Sequence, residues 1–224
     1  MNLRWFITGT DTEAGKTWVT LALMRYLQAQ GRSVIGMKPV AAGCGMTSEG
    51  PRNDDALALA TQASIELPYD WINPYALVEP VSPHLAAGNE PINLALLSGA
   101  YQRLAVLPHD VLVEGAGGFR TPLTFDTNLG DWLEHIQIPV IVVVGMRLGC
   151  LNHAQLTVES ILAAGLPCLG WIASVVDPDM AYLAENIRSL EVMLPVPKLG
   201  ICAFSTQPQL EPTRSLSALI KVTS

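Results

Sequence analysis

Short, continuous apolar runs alternate along the chain with longer stretches whose apolar positions fall three and four apart. Residues 3–8 form the first run and stop at Gly9, the pattern of a buried strand. A helix is expected from about Lys16 to Gln30, with Gly31 suited to its C-terminal cap. "SVIGMKPV" predicts a second short strand ending at Lys38. "DDALALATQA" opens on two acids, which the dipole of a helix N-terminus favours. Residues 92–107 read as a helix, and "DVLVEGAGG" as a buried strand entering a glycine-rich turn. "IPVIVVVG" is the most hydrophobic run and the best candidate for a central strand. "NHAQLTVESILAAG" predicts a helix, "PCLGWIASVV" a strand, "MAYLAENIRSLEVML" a helix and "PKLGIC" a last strand.

Continuous apolar strands alternating with helices predict an α/β fold, a mostly parallel sheet with helices on both faces. The 224 residues suffice for one substantial core, so a single domain over residues 1–224 is expected. The net charge of −7 and the lack of any Lys/Arg run argue against a nucleic-acid partner. The apolar run at the N-terminus is too short for a signal peptide or a membrane span. Cys44, Cys150, Cys168 and Cys202 are widely spaced with no CxxC pair, which points to reduced thiols of a cytoplasmic protein.

Ligands of parallel sheets bind beyond the C-terminal strand ends, so polar residues that directly follow strands carry the interest. "GTDTEAGKT", residues 9–17, is such a segment. Gly15-Lys16-Thr17 ends it like a phosphate-binding loop, but Gly9 lies one residue too far upstream of the usual spacing. In that P-loop setting backbone N–H groups and the helix N-terminus hold phosphate, with Lys16 on the β- and γ-phosphates. Thr17 would offer its hydroxyl to Mg²⁺. Asp11, Thr12 and Glu13 exceed what phosphate binding requires and suggest an acceptor substrate beside the γ-phosphate. Glu114 ends an apolar strand before Gly115, Ala116 and Gly117, where a carboxylate would meet the metal. Asp54 or Asp55 could add a second carboxylate or could cap a helix; the sequence alone does not rank them. Lys38 follows the second strand and could stabilise charge on a transferring phosphoryl group, or could be a surface lysine. His84, His109, His135 and His153 lack ligand spacing and read as satisfied or surface histidines.

The motifs GTDTEAGKT (9–17), KPV (38–40), RNDDALAL (52–59) and NPYALVEPVSPH (73–84), then VEGAGG (113–118), PVIVVVG (139–145), GCLNHA (149–154) and GW (170–171), together resemble the dethiobiotin synthetase family. The likeness runs from about residue 3 to residue 200. It makes the stretched loop the family's own variant. Asp11 stands where ParA/MinD-like ATPases carry a second lysine. The resemblance implies an ATP- and Mg²⁺-dependent ring closure on 7,8-diaminononanoate with CO₂, through a carbamate and its mixed anhydride with phosphate. It implies an ATP loop of Glu13, Ala14, Gly15, Lys16, Thr17 and Trp18, and a second nucleotide loop from Glu114 to Gly117. It implies Thr17, Asp55 and Glu114 as Mg²⁺ ligands, which selects Asp55 over Asp54. Lys38 matches the catalytic lysine, with Lys16 beside it. Thr12 and Glu13 match positions near diamine and carbamate. It further implies a homodimer in which "GCLNHA" reaches towards the partner's substrate, with Leu151 and Asn152 in contact.

Two positions depart from the pattern. Ala42 lacks the hydroxyl that the resemblance places against substrate, and a lost hydrogen bond to a charged group weakens binding. Ser174 stands where an Asn is expected to read adenine, which predicts looser nucleotide selectivity. The tail after Gly200 also matches poorly, lacking an expected proline. A sister enzyme acting on another amine, motivated by Ala42, and a slow nucleotide-dependent switch are the alternative readings.

Overall fold

The computed structural model describes residues 2–222. In chain order its first elements are β1 (Arg4–Gly9), α1 (Lys16–Ala29), β2 (Val34–Met37), β3 (Val40–Ala41), β4 (Gly45–Thr47) and β5 (Gly50–Arg52). They continue with α2 (Asp54–Gln62), α3 (Tyr69–Ile72), β6 (Tyr75–Ala76), α4 (Pro83–Ala86), α5 (Leu94–Ala105) and β7 (Asp110–Gly118). Then come α6 (Leu129–Ile136), β8 (Val140–Gly145), α7 (Cys150–Ala163), β9 (Cys168–Ser174), α8 (Leu183–Met193), β10 (Lys198–Cys202), β11 (Glu211–Pro212) and α9 (Arg214–Val222).

A seven-stranded sheet runs β11-β10-β9-β8-β1-β7-β2, parallel throughout except for β11. The expected central strand, β8, is the fourth of the seven. Alternation explains why the strands read as unbroken apolar runs. In β1, Phe6 enters one core while Trp5 and Ile7 enter the other. In β8, Val140, Val142 and Val144 face the first core, and Ile141 and Val143 face the second. Both faces are covered, so both registers must be apolar. Trp132 of α6, Val158 of α7 and Leu190 of α8 fill the first core. Leu23 and Leu27 of α1 and Leu216 of α9 fill the second.

Several boundaries differ from the pattern-based expectation. β2 stops at Met37, leaving Lys38 just beyond it. α8 starts at Leu183, because Asp177 turns the chain onto Asp179 N–H and Tyr182 takes a left-handed φ of 56°. "PKLGIC" is not the last strand: Glu211–Pro212 adds an antiparallel edge, too short to alternate, and α9 follows it. α6 was not anticipated, although Asn128 and Asp131 form a capping box at its start. Gly31 caps α1 as expected, with a φ of 77°.

Candidate active site

The C-terminal ends of β1, β2, β7 and β8 gather the chemistry-bearing residues. After β1, Glu13 holds a φ of 60°, a left-handed value unusual for a residue with a Cβ. Gly15 follows with a φ of 82° at the N-cap of α1. Its place is doubly restricted, because a Cβ there would stand 2.3 Å from Ser174 Oγ. Glycine cannot cap with a side chain, so the first N–H groups of α1 remain available to an anion. Lys16 is 7 % exposed and rests its Nζ on the Asp11 carbonyl at 3.1 Å. The Asp11 carboxylate accepts from Thr12 N–H at 2.7 Å and from Arg147 Nη2 at 2.6 Å.

Lys38 links the loop's neighbourhood to the two carboxylates. Its Nζ lies 2.5 Å from Glu114 Oε1 and 3.1 Å from Asp55 Oδ2. Thr17 Oγ1 donates to the same Glu114 oxygen at 2.7 Å. Glu114 and Lys38 are 0 % and 5 % exposed. Burial alone would lower the Lys38 pKa, but Glu114 and Asp55 outweigh it and hold the ammonium above its ordinary value. Burial would raise Asp55, and Lys38 with Thr17 brings it below the usual carboxylate range. Lys16 goes the other way: burial, then repulsion from Lys38, pushes it down to about 8. Glu114, Asp55 and Asp11 offset this only in part, and a polyphosphate reaching Lys16 would add counter-charge.

Glu114 Oε2 is buried with no hydrogen-bond partner among the described residues. A fully desolvated carboxylate oxygen left bare is costly. With Thr17 and Asp55 beside it, the donor set is hard oxygen throughout, which suits Mg²⁺ that also keeps waters or phosphate oxygens. No group of three or more His, Cys, Asp and Glu side chains able to hold a metal ion occurs among the described residues.

A cleft of about 710 Å³ opens over this cluster. It is lined by Thr12, Glu13, Gly15, Lys16, Thr17 and Trp18 from the loop, and by Lys38, Ala42, Asp55, Ala116 and Gly117. Ala14 is buried beneath the loop, and Gly115 packs against Phe6 and Leu129. Ser174 is not among the lining residues; it is 3 % exposed and lies under Gly15. Leu151 and Asn152 sit on the first turn of α7, also outside the lining set. The choice between Asp54 and Asp55 follows from Asn53, whose side chain accepts from Ala56 N–H and so caps α2. Neither acid is needed as the cap, and Asp55 meets Lys38.

Sequence reasoning did not single out Asn53, Arg147 or the Pro80–Pro83 wall of the cleft. Asn53 had a signal, a cap residue immediately before two acids. Arg147 had none, since its partner Asp11 is remote in sequence. His84 and His109 are satisfied by Ser82 and Ser33, while His135 and His153 are exposed.

Residues 4–214 match a family described as an AAA domain. The chain is 48 % identical over 199 residues to the ATP-dependent dethiobiotin synthetase BioD of Cellvibrio japonicus, covering 88 % of this chain and 87 % of that protein. It is 46 % identical over 202 residues to BioD 1 of Salmonella typhi, covering 89 % of each. Among solved structures, chloroplast FtsY of Physcomitrella patens aligns with a TM-score of 0.59 at 17 % identity, covering all of this chain and 66 % of that one. FtsY of Elizabethkingia anophelis in complex with GDP aligns at 0.58 and 13 % identity, over 96 % and 61 % of the two chains. The chain thus spans less than two thirds of these structural neighbours, and the likeness concerns the fold alone.

Proposed function

The chain belongs to the ATP-dependent dethiobiotin synthetase family, and from that premise we propose how its own residues carry the reaction. It is an ATP-dependent ligase that forms dethiobiotin in biotin biosynthesis. Its substrates are 7,8-diaminononanoate and CO₂. One amine adds to CO₂ and loses a proton, giving a carbamate. A carbamate oxygen takes the γ-phosphoryl group of ATP, releasing ADP. The second amine then attacks the carbamoyl carbon, phosphate leaves with the C–O bond, and the urea ring closes.

The observation that carries the residue assignment is the Lys38 ammonium, buried between Glu114 and Asp55 at the floor of the cleft. A fixed positive charge there stabilises negative charge as it develops on the carbamate and the transferring phosphoryl group. Lys38 is therefore the catalytic lysine of this reading. The loop Glu13–Trp18 binds ATP, with Lys16 on its phosphates, and the Glu114–Gly117 stretch of β7 borders the nucleotide. Thr17, Asp55 and Glu114 would hold Mg²⁺, which would neutralise phosphate charge. Thr12, Glu13 and Ala42 face the diamine side of the cleft. Ser174 supports the loop from below through Gly15. Residues 1–224 act as one domain.

A homodimer is part of the same reading. Leu148 is 98 % exposed and Leu156 57 % exposed around the start of α7, apolar surface that a second copy would cover, bringing Leu151 and Asn152 to the partner's substrate. No described helix is long and apolar enough to cross a membrane, and the reading places the enzyme in the cytoplasm. Mass spectrometry of the products formed with Mg-ATP, bicarbonate and 7,8-diaminononanoate tests the function. Dethiobiotin should appear in step with ADP; ADP without dethiobiotin would refute the substrate assignment.

A further inference from the structure

The segment 73–84 matched the family pattern, yet only its later part, Pro80 to Pro83, reaches the cleft. Its first residue, Asn73, is 2 % exposed and spends its whole amide on other residues. Asn73 Nδ2 donates to the Lys38 carbonyl at 2.7 Å and to the Tyr75 carbonyl at 3.2 Å. Asn73 Oδ1 accepts from the Tyr69 hydroxyl at 2.9 Å. That hydroxyl accepts in turn from Asn53 N–H at 2.8 Å. Asn53 caps α2, whose first turn carries Asp55, and Asp55 returns to the Lys38 ammonium. The contacts close a ring that begins at the backbone of Lys38 and ends at its side chain.

We infer that Tyr69 and Asn73 are positioning residues that fix Lys38 and Asp55 relative to each other. The inference rests on the assignment of Lys38 as the catalytic lysine. A lysine ammonium sits on a flexible four-carbon stem, so its position is set by what holds both ends. Asn73 holds the near end, where Lys38 N–H also donates to the Ile72 carbonyl at 2.8 Å. Tyr69 holds the cap from which Asp55 projects. The hydrogen bonds that Tyr69 and Asn73 make lie outside residues 9–17, and the ring meets the phosphate loop only where Thr17 reaches Asp55. A loosened ring lets the ammonium drift from the reacting atoms, and a misplacement of about 1 Å lowers turnover strongly.

Tyr69→Phe removes the hydroxyl and keeps the ring on which the Arg52 guanidinium stacks at 4.3 Å. Dethiobiotin kcat should fall about tenfold, and further in Asn73→Ala, the size expected when hydrogen bonds of a positioned group are lost. The dissociation constant for ATP, measured calorimetrically without added metal, should stay within about twofold. The Tm should fall by no more than about 5 °C. An unchanged kcat with a lowered Tm would make the ring purely structural and overturn the inference. A fall in kcat matched by an equal loss of ATP affinity would overturn it too. Lys38→Ala is run alongside: dethiobiotin formed by that variant would remove the premise itself, a failure distinguishable from that of the ring.

Discussion

Replacing Gly15 by alanine separates two costs that the structure places on one atom. The residue has a φ of 82°, and a side chain in the left-handed region costs about 1–2 kcal/mol. The added Cβ would also stand 2.3 Å from Ser174 Oγ, 3.3 Å from Ser174 Cβ and 3.4 Å from Val176 Cγ1. Only the first of these contacts is impossible without movement, and overpacking of this kind costs about 1–3 kcal/mol. Gly15→Ala should therefore destabilise by about 2–5 kcal/mol. Ser174→Ala removes the offending oxygen and little else. In the double variant the steric part should return and the φ part should remain, a favourable coupling of about 1–3 kcal/mol. Urea unfolding of the four proteins, followed by fluorescence and circular dichroism together, gives the cycle. Calorimetric ATP titration shows whether the loop recovers its shape. Additivity within about 0.5 kcal/mol would refute the placement of Ser174 beneath the loop. A changed ATP-to-GTP preference in Ser174→Ala alone would return Ser174 to a base-reading role.

Lys38→Met leaves Glu114 buried without its cation, and breaking a buried pair on one side costs about 3–5 kcal/mol. Lys38→Met with Glu114→Gln should regain most of that by urea unfolding; equal instability of single and double variants would contradict the pairing. Ala42→Ser offers the cleft a hydroxyl and should lower the diamine KM about tenfold if it meets a charged group; an unchanged KM would mean that another group already fills that place. Burial raises Cys168 to about 11 and Cys202 to about 12, the latter also through Glu211. A raised thiol pKa stabilises the folded state below the unfolded value near 9, and that stability is lost as pH rises towards 11 and 12. The Tm should fall over this window, and less steeply in Cys202→Ala; equal slopes would contradict the burial argument.

The fold was legible because its strands are buried on both faces. β1, β8 and residues 111–113 of β7 show as apolar runs, and the loop after β1 and Glu114 within β7 fall at the site. α6 and the β11–α9 tail were not read. α6 is short, and β11 has two residues, too few for any period to register. In the candidate site, the loop was visible as a segment that follows a strand; Glu114 was read as a strand end, whereas β7 runs on to Gly118 and holds it mid-strand. Asp55 was selected by the resemblance alone; Asn53 as the cap, which a capping rule could have supplied, gives the residues' own reason. The Arg147–Asp11 pair and the Tyr69–Asn73 ring were invisible, since each joins residues by folded geometry and not by spacing. The same holds for Ser174. The linear pattern placed it where an Asn would read adenine, and its contact with Gly15 was not legible from spacing.

The central claim is that Lys38 stabilises the chemistry and does not bind the nucleotide. The direct measurement is Lys38→Ala assayed twice, for ATP affinity by calorimetry and for dethiobiotin by mass spectrometry. The account predicts ATP affinity within about threefold of the unaltered protein and product reduced by at least about a hundredfold. Product formed at an undiminished rate, or ATP affinity lost in proportion to product, would contradict it.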